Sequence, residues 1–213
     1  MAQHDWAEWH RGYDDPGSPL SRRGELVQRH LRAELDQAPD RDIRLVSLCA
    51  GQGRDVIGVL AEHPRRDDVR VRLVELDERN LVAARQAAQA ARLDGVEMLQ
   101  ADAGTTDACA DAVPAQVVMV CGVFGNITDS DIQTTVAALP SLCTPDALVL
   151  WTRHRMPPDI TPAIRSWFEE AGFGEEAFDI SDDGFMSVGA HRLTGEPATL
   201  VLGQRLFTFR EQH

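Results

Sequence analysis

Gly51-Gln52-Gly53, Glu75, Asp102 and the run Cys121-Gly122-Val123-Phe124-Gly125-Asn126 are the residues of this 213-residue chain whose types and spacing could do chemistry together. Glycines without a Cβ let backbone amides at a helix start come close to a ligand. Glu75 follows Gly53 by twenty-two residues, a separation that suits a carboxylate accepting hydrogen bonds from ribose hydroxyls. Asp102 is placed to accept from the exocyclic amine of an adenine. Taken singly, each has a plain structural reading: a Gly-x-Gly turn packs tightly, and a lone acid caps a helix or sits in water. Their joint occurrence points to a ligand that contains adenosine.

In an open α/β sheet such a ligand lies beyond the carboxyl ends of the strands, where strand order reverses, so each of these residues needs a strand before it. The sequence supplies one each time. Residues 44–49 form a short apolar strand that runs into the glycine turn, and 54–62 reads as a helix closed by His63-Pro64. Strand 69–75 leads through Asp77, an N-cap, into helix 78–93, and strand 96–100 stops at Ala101-Asp102. Val117 to Cys121 is continuously apolar, as in a central strand covered on both faces. A helix at 129–139, a strand at 147–151 and a helix from Thr161-Pro162 to Ala171-Gly172 follow. Upstream, Ser18-Pro19 starts a helix in which Val27, Leu31 and Leu35 share a face. Phe185 to Leu193 and Arg205 to Arg210 alternate apolar and polar residues and predict an antiparallel hairpin. The expected fold class is α/β, a doubly wound, mostly parallel seven-stranded sheet ending in that hairpin. It forms a single domain over 1–213, with an N-terminal lid segment and helix at 1–40 and the core at 44–213.

Composition removes several reaction classes. All twenty-one basic residues are Arg, so enzymes that need a lysine amine at the reacting centre are excluded: Schiff-base, pyridoxal and P-loop chemistry. Tyr13 is the only tyrosine, and the Tyr-x-x-x-Lys pair of short-chain dehydrogenases is absent. A net charge of −13 argues against nucleic acid and against anionic membrane. Cys49, Cys109, Cys121 and Cys143 stand far apart, so no metal site or disulfide framework is expected. With no apolar leader and no run of eighteen apolar residues, the expected location is the cytoplasm. A glycine turn with a ribose carboxylate suits both a dinucleotide and S-adenosylmethionine. Val56 stands where the dinucleotide fingerprint wants a small residue, and a sulfonium cation suits an acidic protein better than a pyrophosphate.

Leu45-Val-Ser-Leu-Cys-Ala-Gly-Gln-Gly53, Leu73-Val-Glu-Leu-Asp77, Leu99-Gln-Ala-Asp-Ala103 and Val118-Met-Val-Cys-Gly-Val123 resemble the four successive motifs of class I S-adenosylmethionine-dependent methyltransferases. Trp6 to Leu20, Ser47 to Asp55 and Gly122 to Asn126 look like an actinobacterial branch of that superfamily. The resemblance implies a Rossmann-like methyltransferase fold with S-adenosylmethionine as cofactor. It implies that Gly51 and Gly53 pass under the methionine part, Glu75 holds the ribose and Leu76 packs on the adenine. Asp102 and Ala103 would edge the adenine, and Cys121 and Gly122 would line the floor beneath the methyl donor. The chain departs from the pattern at Ser47, where an acid is usual, and at Cys49, where a glycine is usual. The amino group of the methionine part must then find a carboxylate elsewhere. Methyl transfer by in-line displacement to a small-molecule acceptor is the expected function. A donor-binding protein without turnover and an NAD-dependent oxidoreductase are its rivals, and a homodimer is compatible with the sequence.

Two regions are candidates for the acceptor. Trp6, Trp9, His10, Tyr13, Asp14 and Asp15 either fold over the donor as an aromatic, acidic lid or anchor the terminus to the core. Trp151-Thr-Arg-His-Arg155 follows the fifth strand. There Arg153 and Arg155 either grip a carboxylate or phosphate or pair with the chain's own acids. His154, and after it His10, is the candidate base for the acceptor's proton. Asn126 is placed to orient the nucleophile, and Phe124 to contact the acceptor. His191 reads as packed or solvent-facing, and His4, His30, His63 and His213 as surface or terminal groups.

Overall fold

A computed structural model describes residues 8, 10–39 and 42–210. Helix α1 (Pro19–Gln37) starts where expected: the Ser18 hydroxyl accepts the Ser21 amide at 3.0 Å, and Pro19 occupies the first turn, where no intrahelical N–H bond is lost. Its Val27, Leu31 and Leu35 are fully buried. Strand β1 (Ile43–Leu48) ends one residue before Cys49, which turns to a left-handed φ of 52°. Helix α2 (Arg54–Leu60) is a residue pair shorter than expected. Strand β2 (Val69–Glu75) and strand β3 (Val96–Gln100) fall as predicted. Between them, α3 (Glu78–Ala90) is capped by the Asp77 carboxylate on the Arg79 amide, 2.9 Å. It stops before the expected Leu93 because Arg92 takes φ 56° and the Leu93 amide turns back to the Ala88 carbonyl, 2.9 Å. The central strand β4 (Ala115–Val120), helix α4 (Asp129–Ala138), a long β5 (Cys143–His154) and α5 (Thr161–Glu170) complete the parallel part.

The closing hairpin corrects the sequence reading. Its strands are β6 (Phe173–Ile180) and β7 (Met186–Leu193), with β7 antiparallel to both β5 and β6, and the sheet order is β3-β2-β1-β4-β5-β7-β6. Glu175 and Glu176 are adjacent and both exposed, and a register shift between Glu175 and Ala177 accommodates them, so β6 shows no period of two. Arg205–Arg210 forms no strand. Leu206 and Phe207 are buried against α4 and the turn after β3, where Leu206 N–H bonds Gly104 O at 2.8 Å and the Thr135 hydroxyl bonds Leu206 O at 3.0 Å. Leu206 and Phe207 are buried side by side by this threading, without a strand.

Apolar clusters cover both faces of the sheet. One joins α1 and α2 to β1, β2 and β7, so α1 is part of the core. The other centres on Trp151, stacked on Phe168 at 5.9 Å, with its indole N–H donated to His191 Nδ1 at 3.1 Å. His191 is therefore packed, and burial pushes its pKa down to about 4. Gly189 lies opposite Trp151 across the β5–β7 ladder, and a Cβ there would stand 2.3 Å from the indole. Trp151 is fully buried and cannot withdraw. Gly189→Ala should lower stability in urea unfolding by about 1–3 kcal/mol through overpacking, and an unchanged midpoint would refute this packing.

Candidate active site

The turn after β1 builds the first wall. Cys49, Gly51 and Gly53 take φ of 52°, 57° and 65°, and the bend is tied by Ala50 N–H to Val74 O and Gly53 N–H to Ala50 O, both 2.9 Å. A Cβ on Gly53 would meet Leu73 and Ile57 side chains at 2.7 and 3.0 Å. That glycine serves the left-handed N-cap of α2 and the core, and it does not border the cavity. Gly51 does not line it either, being covered by His10: a Cβ there would lie 2.0 Å from the imidazole Nε2. His10 comes from the 3-10 turn His10–Asp14, is buried, and stacks on Tyr13 at 6.0 Å.

Strand ends supply the rest. Glu75 turns toward the glycine bend, its Oε2 accepting Gly51 N–H at 2.8 Å and its Oε1 accepting Leu76 and Asp77 N–H at 2.9 and 2.8 Å. Leu76 stands 65 % exposed at the rim, a position that costs apolar burial unless something covers it. Asp102 accepts Gly104 N–H at 2.8 Å and pairs with Arg205 at 2.6 Å. Glu75, Leu76 and Asp102, together with Cys49, Ala103, Cys121 and Gly122, line a cavity of about 580 Å³ whose rim carries the acids Glu75, Asp77, Glu78 and Asp102 and one cation, Arg79.

Arg23 of α1, Tyr13 and Asp55 close the floor. Arg23 is buried, donates to the Tyr13 hydroxyl and interacts electrostatically with Asp55. Burial pushes the Tyr13 hydroxyl and the Cys121 thiol up, so both stay protonated at neutral pH. Burial also raises Asp55 above the usual carboxylate range, with Arg23 opposing the shift, and Asp55 Oδ1 has no hydrogen-bond partner. Sequence reasoning assigned no role to Arg23 or Asp55. An acid in the first turn of a helix ordinarily serves the helix dipole, and only its burial beside Arg23 marks it out.

A second cavity, about 400 Å³, opens beyond the ends of β4 and β5 and shares Arg23 and Gly122 with the first. Gly122 is pinned from both sides, by its N–H on the Thr152 hydroxyl and by Asn126 Nδ2 on its carbonyl, each 2.8 Å. His154 lines this cavity, stacked on Phe185 at 6.4 Å, and its Nδ1 has no partner. Burial, then the neighbouring Arg153 charge, pushes its pKa down, so the imidazole is neutral at pH 7. Arg153 also lines the cavity. Phe124 does not: it is fully buried against Trp151, and only its carbonyl reaches Arg153. Arg155 turns away to pair with Asp159 at 3.1 Å. Trp6 and Trp9 lie outside the described residues. Among the described residues no group of three His, Cys, Asp or Glu could hold a metal ion, and no helix is long and apolar enough to cross a membrane.

The fold is shared widely. A Bordetella parapertussis structure described as a possible exported protein is 17 % identical with a TM-score of 0.66, covering 90 % of this chain and 79 % of that one. Magnesium protoporphyrin IX methyltransferase from Synechocystis PCC 6803, solved with S-adenosylhomocysteine, is 13 % identical with a TM-score of 0.65, covering 86 % and 91 %. An RNA methyltransferase from Salinibacter ruber, also with S-adenosylhomocysteine, is 22 % identical with a TM-score of 0.56, covering 84 % and 97 %. No curated protein sequence matches the chain. A family model described as "Putative methyltransferase" matches residues 21–167, well over half of the sequence, and the chain belongs to that methyltransferase family.

Proposed function

We propose that the protein transfers a methyl group from S-adenosylmethionine to a small-molecule acceptor in the cytoplasm. The observation that carries this reading is the contact of two differently built cavities at Gly122 and Arg23. The larger fits the donor. Its acidic rim suits a cation, Leu76 offers an uncovered apolar face to a base, and the orphaned Asp55 oxygen suits the ammonium that Ser47 leaves unserved. Both volumes fall within the range of small-molecule sites, roughly 300–1,000 Å³.

When bound, the donor supplies an electrophilic methyl carbon whose bond to sulfur breaks as the bond to the acceptor forms, leaving a neutral thioether. The protein's task is orientation, which can contribute roughly 7 kcal/mol or more. Thr152 and Asn126 hold the Gly122 backbone, which lines both cavities. His154 is neutral and faces the acceptor side, where it can take a proton from a hydroxyl nucleophile. The net charge of −13 opposes a polyanionic acceptor such as RNA, and four free thiols suit a reducing compartment.

Calorimetric titration tests the donor. S-adenosylhomocysteine should bind with one-site stoichiometry and NAD should not. NAD binding without the homocysteine product would overturn the proposal, and a bound donor that never yields methyl to any acceptor would favour a binding protein.

A further inference from the structure

The second cavity carries the opposite charge from its neighbour. Arg23, Arg153 and His154 line it and, among the described residues, no carboxylate does, although the chain as a whole is strongly acidic. Arg153 is the key group. It is only 7 % exposed, its Nη1 donates to the Phe124 carbonyl, and its Nε has no hydrogen-bond partner. The two acids whose charges reach it are both engaged elsewhere, Asp129 with Arg210 at 3.5 Å and Asp159 with Arg155 at 3.1 Å. Burial pushes the Arg153 pKa down, as expected for a cation without a counter-ion. His154 beside it also keeps an unpartnered ring nitrogen.

A buried cation is costly unless an anion meets it. Among the described residues none supplies that anion here, and the cavity has room for a ligand that does. Ser18, Asn126 and Thr152 add neutral polar groups, and Pro19, Leu20, Phe185 and Met186 form an apolar part of the wall. We propose that the acceptor is an amphiphilic anion, a small molecule that sets a carboxylate or phosphate against Arg153 and an apolar body against Leu20, Phe185 and Met186. The word acceptor rests on the methyl-transfer reading; the anion site itself does not. Arg153 in this role positions the acceptor and leaves the donor cavity untouched.

Benzoate, phenyl phosphate and the neutral benzamide are the probes, titrated calorimetrically into the protein with and without saturating S-adenosylhomocysteine. At least one acid should bind, with benzamide at least about tenfold weaker, the difference a charge-assisted pair to arginine provides. The benzoate and phenyl phosphate arms separate carboxylate from phosphate. Arg153→Gln should abolish the preference for acid over amide while S-adenosylhomocysteine affinity stays at the wild-type value, which also reports folding. If this variant does not fold, the comparison of acid with amide on the wild-type protein decides alone. Benzamide binding as tightly as the acids, no binding by either acid, or a preference that survives Arg153→Gln would each overturn the inference. Failure of S-adenosylhomocysteine to bind would instead overturn the donor assignment.

Discussion

Glu75→Ala should weaken S-adenosylhomocysteine binding by at least about tenfold, because a hydrogen bond to a charged acceptor contributes roughly 1.5–3 kcal/mol. The carboxylate already accepts three backbone amides, from Gly51, Leu76 and Asp77. A carboxylate offers about four acceptor sites, so one remains for a ribose hydroxyl. The same side chain therefore shapes the glycine bend and presents the acceptor, and its removal should act on both. Gly51 is buried, and its amide would lose its partner. Some loss of melting temperature should accompany the loss of affinity. Glu75→Gln separates the contributions, since its amide oxygen can still accept while its NH₂ cannot, and it should fall between wild type and alanine. Wild-type affinity and wild-type melting in Glu75→Ala would remove Glu75 from the site.

Arg23→Met should be the most destabilising change at the site. Arg23 is 3 % exposed and is the cation that opposes the raised pKa of buried Asp55. Removing one member of a buried charge pair typically costs roughly 3–5 kcal/mol, since the other charge is left uncompensated. The pH dependence has a definite sign. Asp55 has a folded-state pKa above its unfolded value, so its ionised form opposes folding at high pH, and that opposition vanishes as pH falls below the ordinary carboxylate range. Without Arg23 the pKa rises further. The deficit of Arg23→Met, read by urea unfolding, should be largest near neutral pH and shrink in acid. Adding Asp55→Asn should recover most of it. A deficit equal at pH 5 and pH 8, or additive single effects in the double mutant, would show that Arg23 acts through packing alone.

The elements that deliver the site were legible because their signals are local. Ser18-Pro19 caps α1, Asp77 caps α3, and the apolar run before Cys121 is a central strand; each follows from the preferences of a few adjacent residues. Errors arose where a long-range environment imitated or masked such a signal. Leu206 and Phe207 are neighbours buried together where a segment without a ladder threads past α4, and β6 lacks a period of two because the adjacent Glu175 and Glu176 are both exposed at its bulge. Phe124 and Arg155 follow strands that do reach the second cavity, but one turns into the core and the other to Asp159. Rotamer direction at a strand end is not encoded in spacing.

By itself the sequence determined the α/β class, the strands behind Glu75, Asp102 and Cys121, and a composition without lysine that excludes whole chemistries. Only the tertiary structure decided that His10 covers Gly51, that Arg23, Tyr13 and Asp55 meet from three separate elements, and that one cavity is acidic and its neighbour basic. The reason is physical: backbone periodicity and capping depend on neighbours along the chain. Burial, charge compensation and the orphaning of a polar atom depend on neighbours in space.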